Sequence, residues 1–88
     1  MTVQVLLPQA LISLFPGCPA VLIVNACTVS DAINAVDARW PGVRHRLCDE
    51  TPAIRRHINV FIGDERASLD TVIPAGSEVV VMTAISGG

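Results

Sequence analysis

The chain has 88 residues, of which 51% are hydrophobic and 16% are charged, so it has room for one domain and is too apolar to be disordered. A formal net charge of −2, with scattered arginines and no lysine, argues against a nucleic-acid-binding protein. The cysteines form no C-x-x-C pair, which excludes zinc ribbons and plant-type iron–sulfur sites, and no metal site is predicted.

The apolar stretch from Ala10 to Cys27 is interrupted by Pro16, Gly17 and Pro19. These residues leave no continuous span long enough for a transmembrane helix. No basic residue precedes Arg39, so the positive n-region of a signal peptide is also missing. We therefore expect a cytoplasmic protein that has no membrane partner.

The first predicted element is a strand in which Val3, Val5 and Leu7 alternate with the residues between them. Pro8 ends this strand because proline donates no hydrogen bond to a sheet. The proline- and glycine-containing segment 9–20 is predicted to be a loop. The β-branched run 21–24 then predicts a second strand, antiparallel to the first.

A helix is predicted to begin at Thr28, because Thr28 and Asp31 form a capping signal. Helical spacing then places five apolar residues on one stripe: Val29, Ala32, Ile33, Val36 and Trp40. Trp40 is interpreted as part of the core. Pro41-Gly42 ends the helix.

The second half of the chain predicts a short helical turn and three more strands. Leu47 and Cys48 anchor the turn, and Ile58, Val60 and Ile62 point inward from a third strand. A turn at 63–64 leads to a short fourth strand over 66–68, and a turn at 74–77 leads to a last strand over 79–84. The resulting fold class is α+β: a β-grasp, ubiquitin-like mixed sheet of four to five strands with one main helix packed on one face.

No catalytic set is found, and His45 and His57, each among arginines, are interpreted as surface residues. The last predicted strand instead leads directly into Ile85-Ser86-Gly87-Gly88. The Gly88 carboxylate can be activated as an acyl-adenylate with ATP and converted by sulfide to a thiocarboxylate. The protein is therefore expected to be a co-substrate of partner enzymes, with no enzymatic activity and no bound cofactor of its own.

Glycine suits such a terminus because it lacks Cβ and fits a narrow active-site channel. Extended residues 85–88 reach roughly 13 Å, which carries Gly88 from the folded body into a partner's active site. We therefore expect residues 1–88 to form a single ubiquitin-like domain in which residues 85–88 are a flexible tail.

The sequence resembles the MoaD/ThiS family of ubiquitin-like sulfur carriers. The matching segments are Thr28-Val29, Trp40-Pro41-Gly42, His57 to Ile62, Gly76 to Val79 and Ala84 to Gly88. Within the family it looks closest to the MoaD-like branch that includes the CysO-type carriers of cysteine biosynthesis, on Leu47-Cys48-Asp49-Glu50 and Pro8. Met82-Thr83 departs from the proline-rich approach to the tail found in small subunits of molybdopterin synthase.

The resemblance implies that Gly88 is the site of adenylation and of the thiocarboxylate. It also implies two partners: a ubiquitin-activating-type adenylating and sulfurtransferase enzyme, and a downstream synthase that accepts the sulfur.

The sheet face away from the helix is predicted to carry Phe61 and Met82, with Leu6 and Val80 nearby, because residues alternate along each strand. This apolar set is a candidate interface with a partner enzyme. The alternative is that Phe61 and Met82 pack under a loop or in a homodimer.

Three functions stay open from the sequence. The first is a sulfur carrier for cysteine or a related metabolite, with the small subunit of molybdopterin synthase as its variant. The second is a protein modifier joined through Gly88 to amines on other proteins. The third is a β-grasp interaction module in which the tail has no chemical role.

Overall fold

The computed structural model describes residues 2–50 and 53–83 of the chain. Within these residues the chain forms five strands and three helices. In chain order they are β1 (Thr2–Leu6), α1 (Gln9–Ile12), β2 (Val21–Asn25), α2 (Val29–Arg39), α3 (Val43–Leu47), β3 (Ile58–Ile62), β4 (Glu65–Arg66) and β5 (Glu78–Thr83).

The strands form one mixed sheet in the order β2-β1-β5-β3-β4. The first and last strands lie side by side and run parallel, with Val5 opposite Val79. β2 pairs antiparallel with β1, and β3 pairs antiparallel with both β5 and β4. The predicted β-grasp arrangement, with the first and last strands in the centre, is confirmed.

One face of the sheet is closed by α2, and the core lies between them. The helix contributes Val29, Ala32, Ile33 and Val36, which are all buried as predicted. The sheet contributes the alternate residues of its long strands: Val3, Val5, Leu22, Val24, Ile58, Val60, Val79 and Val81. We call this the inner face of the sheet.

The start of α2 is fixed by two hydrogen bonds between backbone N–H groups and side-chain oxygens. Thr28 Oγ1 accepts from the Asp31 backbone N–H at 3.2 Å, and Asp31 Oδ2 accepts from the Cys27 N–H at 3.4 Å. The first satisfies one of the N–H groups that a helix start leaves without partners, and the second ties the residue before the N-cap to the first turn of the helix. The predicted capping signal is confirmed.

The turn from α2 to α3 depends on Gly42. Its φ of +106° lies in the left-handed region, where a side chain is strained, and an added Cβ would lie 3.2 Å from Phe15 Cε1. Asp37 Oδ1 accepts from the N–H groups of Gly42 and Arg44, each at 3.0 Å. These contacts set the position of α3, whose Leu47 and the following Cys48 are buried as predicted.

The prediction that residues 9–20 form only a loop is wrong, because they include α1. The Pro8 carbonyl accepts from the N–H groups of Leu11 and Ile12 at 3.0 and 3.1 Å. Leu11 is buried in the core, which gives this single turn a tertiary anchor. Such an anchor depends on packing, so proline and glycine content alone could not reveal it.

Several predicted element ends shift by one or two residues. β4 covers only Glu65 and Arg66, so Ser68 lies beyond it, and Ala67 N–H instead donates to the Val60 carbonyl at 2.7 Å. β5 begins one residue earlier than predicted, and Ala84 lies outside the described residues. Trp40 is half-buried against the core, with the Arg39 guanidinium 5.4 Å from its ring centroid.

Candidate functional site

The sheet face opposite α2, which we call the outer face, carries a continuous cross-strand row. Directly paired residues project from the same face of a sheet. Leu6 pairs with Val21 on one side and with Val80 on the other, and Val80 pairs with Phe61. Phe61 also pairs with Arg66 at the opposite edge. The row therefore crosses all five strands and is apolar in its first four members.

Two further apolar side chains extend this row on the outer face. Ile23 follows Val21 on β2, and Met82 follows Val80 on β5 towards the chain's C-terminal end. Ile23 is 63% exposed and Met82 is 49% exposed, whereas Phe61 and Val80 are half-buried. We define the outer-face patch as Leu6, Val21, Ile23, Phe61, Val80 and Met82.

The structure places the four predicted interface residues on this one face, as the alternation in β1, β3 and β5 predicts. The sequence did not identify Val21 and Ile23 as members of the same face. The run from Val21 to Val24 is apolar at every position, so its alternation carries no signal of inside and outside. The register with Gln4 and Leu6 supplies that signal.

The candidate tail begins directly after β5, which is a central strand. β5 is hydrogen-bonded to β1 on one side and to β3 on the other, and its last residue, Thr83, pairs with Ile58. Pairing with β3 therefore continues to the last described residue of β5, whereas pairing with β1 ends at Val80. Ile85, Ser86, Gly87 and Gly88, to which we assigned the chemistry, lie outside the described residues.

The described residues offer few groups for chemistry of their own. Residues 2–50 and 53–83 contain no cluster of three histidine, cysteine or carboxylate side chains able to hold a metal ion. Within the same residues no helix is long and apolar enough to cross a membrane. His45 and His57 are both exposed, as predicted, and Cys48 is buried, which raises the pKa of its thiol.

The fold matches solved structures over nearly its whole length. A chain of the Amycolatopsis orientalis BexX/CysO complex superposes with a TM-score of 0.86 at 28% identity, covering 98% of this chain and 99% of that one. SAMP1 from Haloferax volcanii superposes with a TM-score of 0.83 at 25% identity, with complete coverage of both chains. Mycobacterium tuberculosis CysO superposes with a TM-score of 0.82 at 25% identity, covering 94% of this chain and 99% of that one.

The sequence adds a relative that decides the family. Small archaeal modifier protein 1 of Haloferax volcanii is 33% identical over 61 residues, which cover 69% of this chain and 70% of the relative. The chain belongs to the MoaD/ThiS family of ubiquitin-like carriers and modifiers. No family model matches the sequence. The predicted resemblance to this family is confirmed. The outer-face patch and the segment after β5 therefore belong to a MoaD/ThiS protein.

Proposed function

We propose that this MoaD/ThiS protein is a sulfur carrier that holds sulfur as a thiocarboxylate on Gly88. The proposal rests on one observation. The chain belongs to this family, and after its central strand β5 the sequence continues through Ala84 to Ile85-Ser86-Gly87-Gly88. Sulfur delivery to cysteine or a related sulfur metabolite is the role that we propose for it in the cell. The likeness to two CysO structures supports this choice.

The proposed chemistry has two balanced steps, both carried out by a ubiquitin-activating-type partner enzyme. In the first, a Gly88 carboxylate oxygen attacks the α-phosphorus of ATP, and pyrophosphate leaves with its electron pair. In the second, hydrosulfide attacks the acyl carbon and AMP leaves, so a C–S bond replaces the C–O bond to AMP. ATP is thus consumed by the partner, and this chain supplies only the carboxylate and a surface for docking.

The outer-face patch is the surface that we assign to that docking. Its most exposed member on β5, Met82, lies one residue before Thr83, so a partner seated there is close to the start of the tail. Half-buried Phe61 and Val80 next to it offer an apolar anchor of the kind that dominates protein interfaces. The CysO relative forms a complex with a second protein, BexX, which supports a function performed in complex.

The test is the intact mass of the purified protein after incubation with ATP, sulfide and the ubiquitin-activating-type enzyme from the same cell. We expect a gain equal to the exchange of one oxygen atom for one sulfur atom. Fragmentation should place that gain on Gly88, and a variant that lacks Gly88 should not show it. An unchanged mass, with an enzyme shown to release pyrophosphate on another carrier, would refute the proposal.

A protein modifier is the second candidate, and one observation favours it: the relative at 33% identity is named a modifier. Here an amine of another protein would attack the acyl carbon of the Gly88 adenylate and AMP would leave, so that an amide bond to Gly88 replaces the C–O bond to AMP. Epitope-tagged protein should then appear in covalent adducts on denaturing gels, and those adducts should vanish when Gly87 and Gly88 are deleted. A mass gain without adducts supports the carrier alone.

A further inference from the structure

Positive charge is concentrated in one part of this acidic chain. Residues 44–57 contain four of the six arginines and both histidines, although the whole chain has a formal charge of −2. The two ends of this segment have related compositions, Arg44-His45-Arg46 and Arg55-Arg56-His57. The fold brings these two ends together.

His45 and Arg46 from α3 and Arg55 and His57 from the segment before β3 line one surface concavity of about 300 Å³. None of its lining residues carries a carboxylate. The concavity is large enough for one or two acidic side chains and too small for a folded ligand. We call it the basic concavity.

The walls of the basic concavity are held in place by backbone hydrogen bonds. The Arg55 N–H donates to the Leu47 carbonyl at 2.9 Å, and the Ile58 N–H donates to the Arg55 carbonyl at 2.9 Å. An isolated bridge between Cys48 and Ile54 joins the same two segments. The guanidinium is oriented too, because Arg55 Nε donates to the His45 carbonyl at 3.0 Å. This leaves the terminal nitrogens of Arg55 to bind a carboxylate at little entropic cost.

Two charged side chains close to the concavity in sequence make contacts outside its lining. Arg44 turns away from the concavity and donates to Asn34 Oδ1 at 2.7 Å. Asp49, the nearest carboxylate in sequence, accepts from the Ala53 N–H at 3.0 Å and lines a different depression. The concavity therefore presents charge that suits an acidic partner.

The basic concavity also lies at the end of the sheet where the tail begins. His57 directly precedes Ile58, and Ile58 pairs with Thr83, the last described residue of β5. Any protein that takes up the segment after Thr83 must approach this end of the sheet. The charge and the start of the tail thus face the same partner.

We propose that the basic concavity docks acidic side chains of the enzyme that activates the tail. The inference rests on the proposed function, and it adds that the partner's docking surface is acidic. Arg46 and Arg55 supply the attraction, and the outer-face patch supplies apolar contact at a separate surface. A nucleic-acid site extends over several phosphates and needs a broad basic surface, but the rest of this chain is acidic. A protein partner is therefore favoured over nucleic acid.

The experiment measures binding of the protein to the immobilised activating enzyme without ATP, at several salt concentrations. We compare wild type with Arg46→Glu and with a matched charge reversal, Arg39→Glu, at the end of α2. We expect Arg46→Glu to lower the association rate by about tenfold at low salt and to weaken its salt dependence. Arg39→Glu should leave both quantities close to wild type. Circular dichroism confirms that both variants are folded.

The outcomes separate this inference from the function on which it rests. Equal association rates for wild type and Arg46→Glu overturn the inference, even when Gly88 still gains sulfur. Equal losses in Arg46→Glu and Arg39→Glu also overturn it, because they indicate a general charge effect. Salt-dependent binding that Arg46→Glu abolishes, without any mass gain on Gly88, supports the inference and refutes the sulfur carrier. Binding to RNA that Arg46→Glu abolishes, without enzyme binding, overturns the inference in favour of a nucleic-acid site.

Discussion

The inner and outer faces of the sheet carry similar aliphatic side chains in very different surroundings. On β2, Leu22 of the inner face is 3% exposed, whereas its neighbour Ile23 on the outer face is 63% exposed. α2 packs against the first face, whereas Val21, Ile23 and Met82 of the second face remain exposed. The comparison shows that apolar content alone does not define a core, since burial depends on which face the helix closes.

The difference also separates two roles. The inner face removes apolar area from water, which stabilises the fold by about 25 cal/mol per Å² of that area. The outer-face patch gains little of this stabilisation in the isolated chain. Its side chains Ile23, Val21 and Met82 are still 63%, 51% and 49% exposed. An exposed apolar patch of this kind is typical of a surface that binds a partner.

Leu22 and Ile23 give the most direct test of this difference in stability. We expect Leu22→Ala to lower the free energy of unfolding by about 3 kcal/mol, because it leaves a cavity under α2. Ile23→Ala on the same strand should change it by less than about 0.5 kcal/mol. Urea denaturation followed by Trp40 fluorescence measures both values. Similar losses in the two variants would mean that the outer face is also covered in solution.

Met82 tests the role of the outer face in binding. We expect Met82→Asp to lower kcat/KM for adenylation of the protein by about tenfold, since a charge disrupts an apolar contact worth about 1.4 kcal/mol. The matched control is Val72→Asp, because Val72 is 68% exposed and lies outside the outer-face patch. Both variants should keep the wild-type melting temperature. If the control loses as much activity, the patch is not the docking surface.

Substitutions at Gly42 and Gly76 compare the stability cost of backbone strain in a packed turn with its cost in an open turn. Gly42→Ala should cost about 2 kcal/mol of stability, because the new Cβ meets Phe15 and the φ is positive. Gly76→Ala shares the positive φ but has no atom within 4 Å of the new Cβ, so we expect a cost of about 1 kcal/mol. Thermal denaturation ranks the two. A larger cost at Gly76 would contradict the contact with Phe15.

The cysteines provide the mildest probe, because labelling leaves the sequence unchanged. Cys27 is exposed, whereas Cys48 is buried at the C-terminal end of α3 and burial raises the pKa of its thiol. Below that raised pKa the Cys48 thiol stays protonated and reacts slowly. We expect iodoacetamide near neutral pH to label Cys27 first and Cys48 only in urea. Peptide mass mapping over time measures the order, and early labelling of Cys48 would show that α3 opens readily.

Much of the fold could be predicted because local signals agreed with the packing. The capping pair Thr28 and Asp31 fixed the start of α2, and alternation in β1, β3 and β5 gave the faces of Phe61, Val80 and Met82. The faces of Val21 and Ile23 could not be predicted, because β2 is apolar throughout and only its register with β1 orients it.

The basic concavity was missed for a different reason. Arg46 and Arg55 lie in two separate segments of the chain, and the bridge between Cys48 and Ile54 brings these segments together. The arginine and histidine composition at both ends of that segment was the available signal. In the sequence it indicated only surface histidines, because charge patterns do not reveal which segments meet.

The parallel pairing of β1 and β5 has a practical consequence for anyone who labels this protein. Because the two strands run in the same direction, β1 begins at the end of the sheet opposite to Thr83. The five residues of β1 span about 17 Å. An affinity handle or fluorophore fused ahead of Thr2 is therefore held about a strand length from Thr83, and immobilisation through it leaves the Thr83 end of the sheet facing the solution.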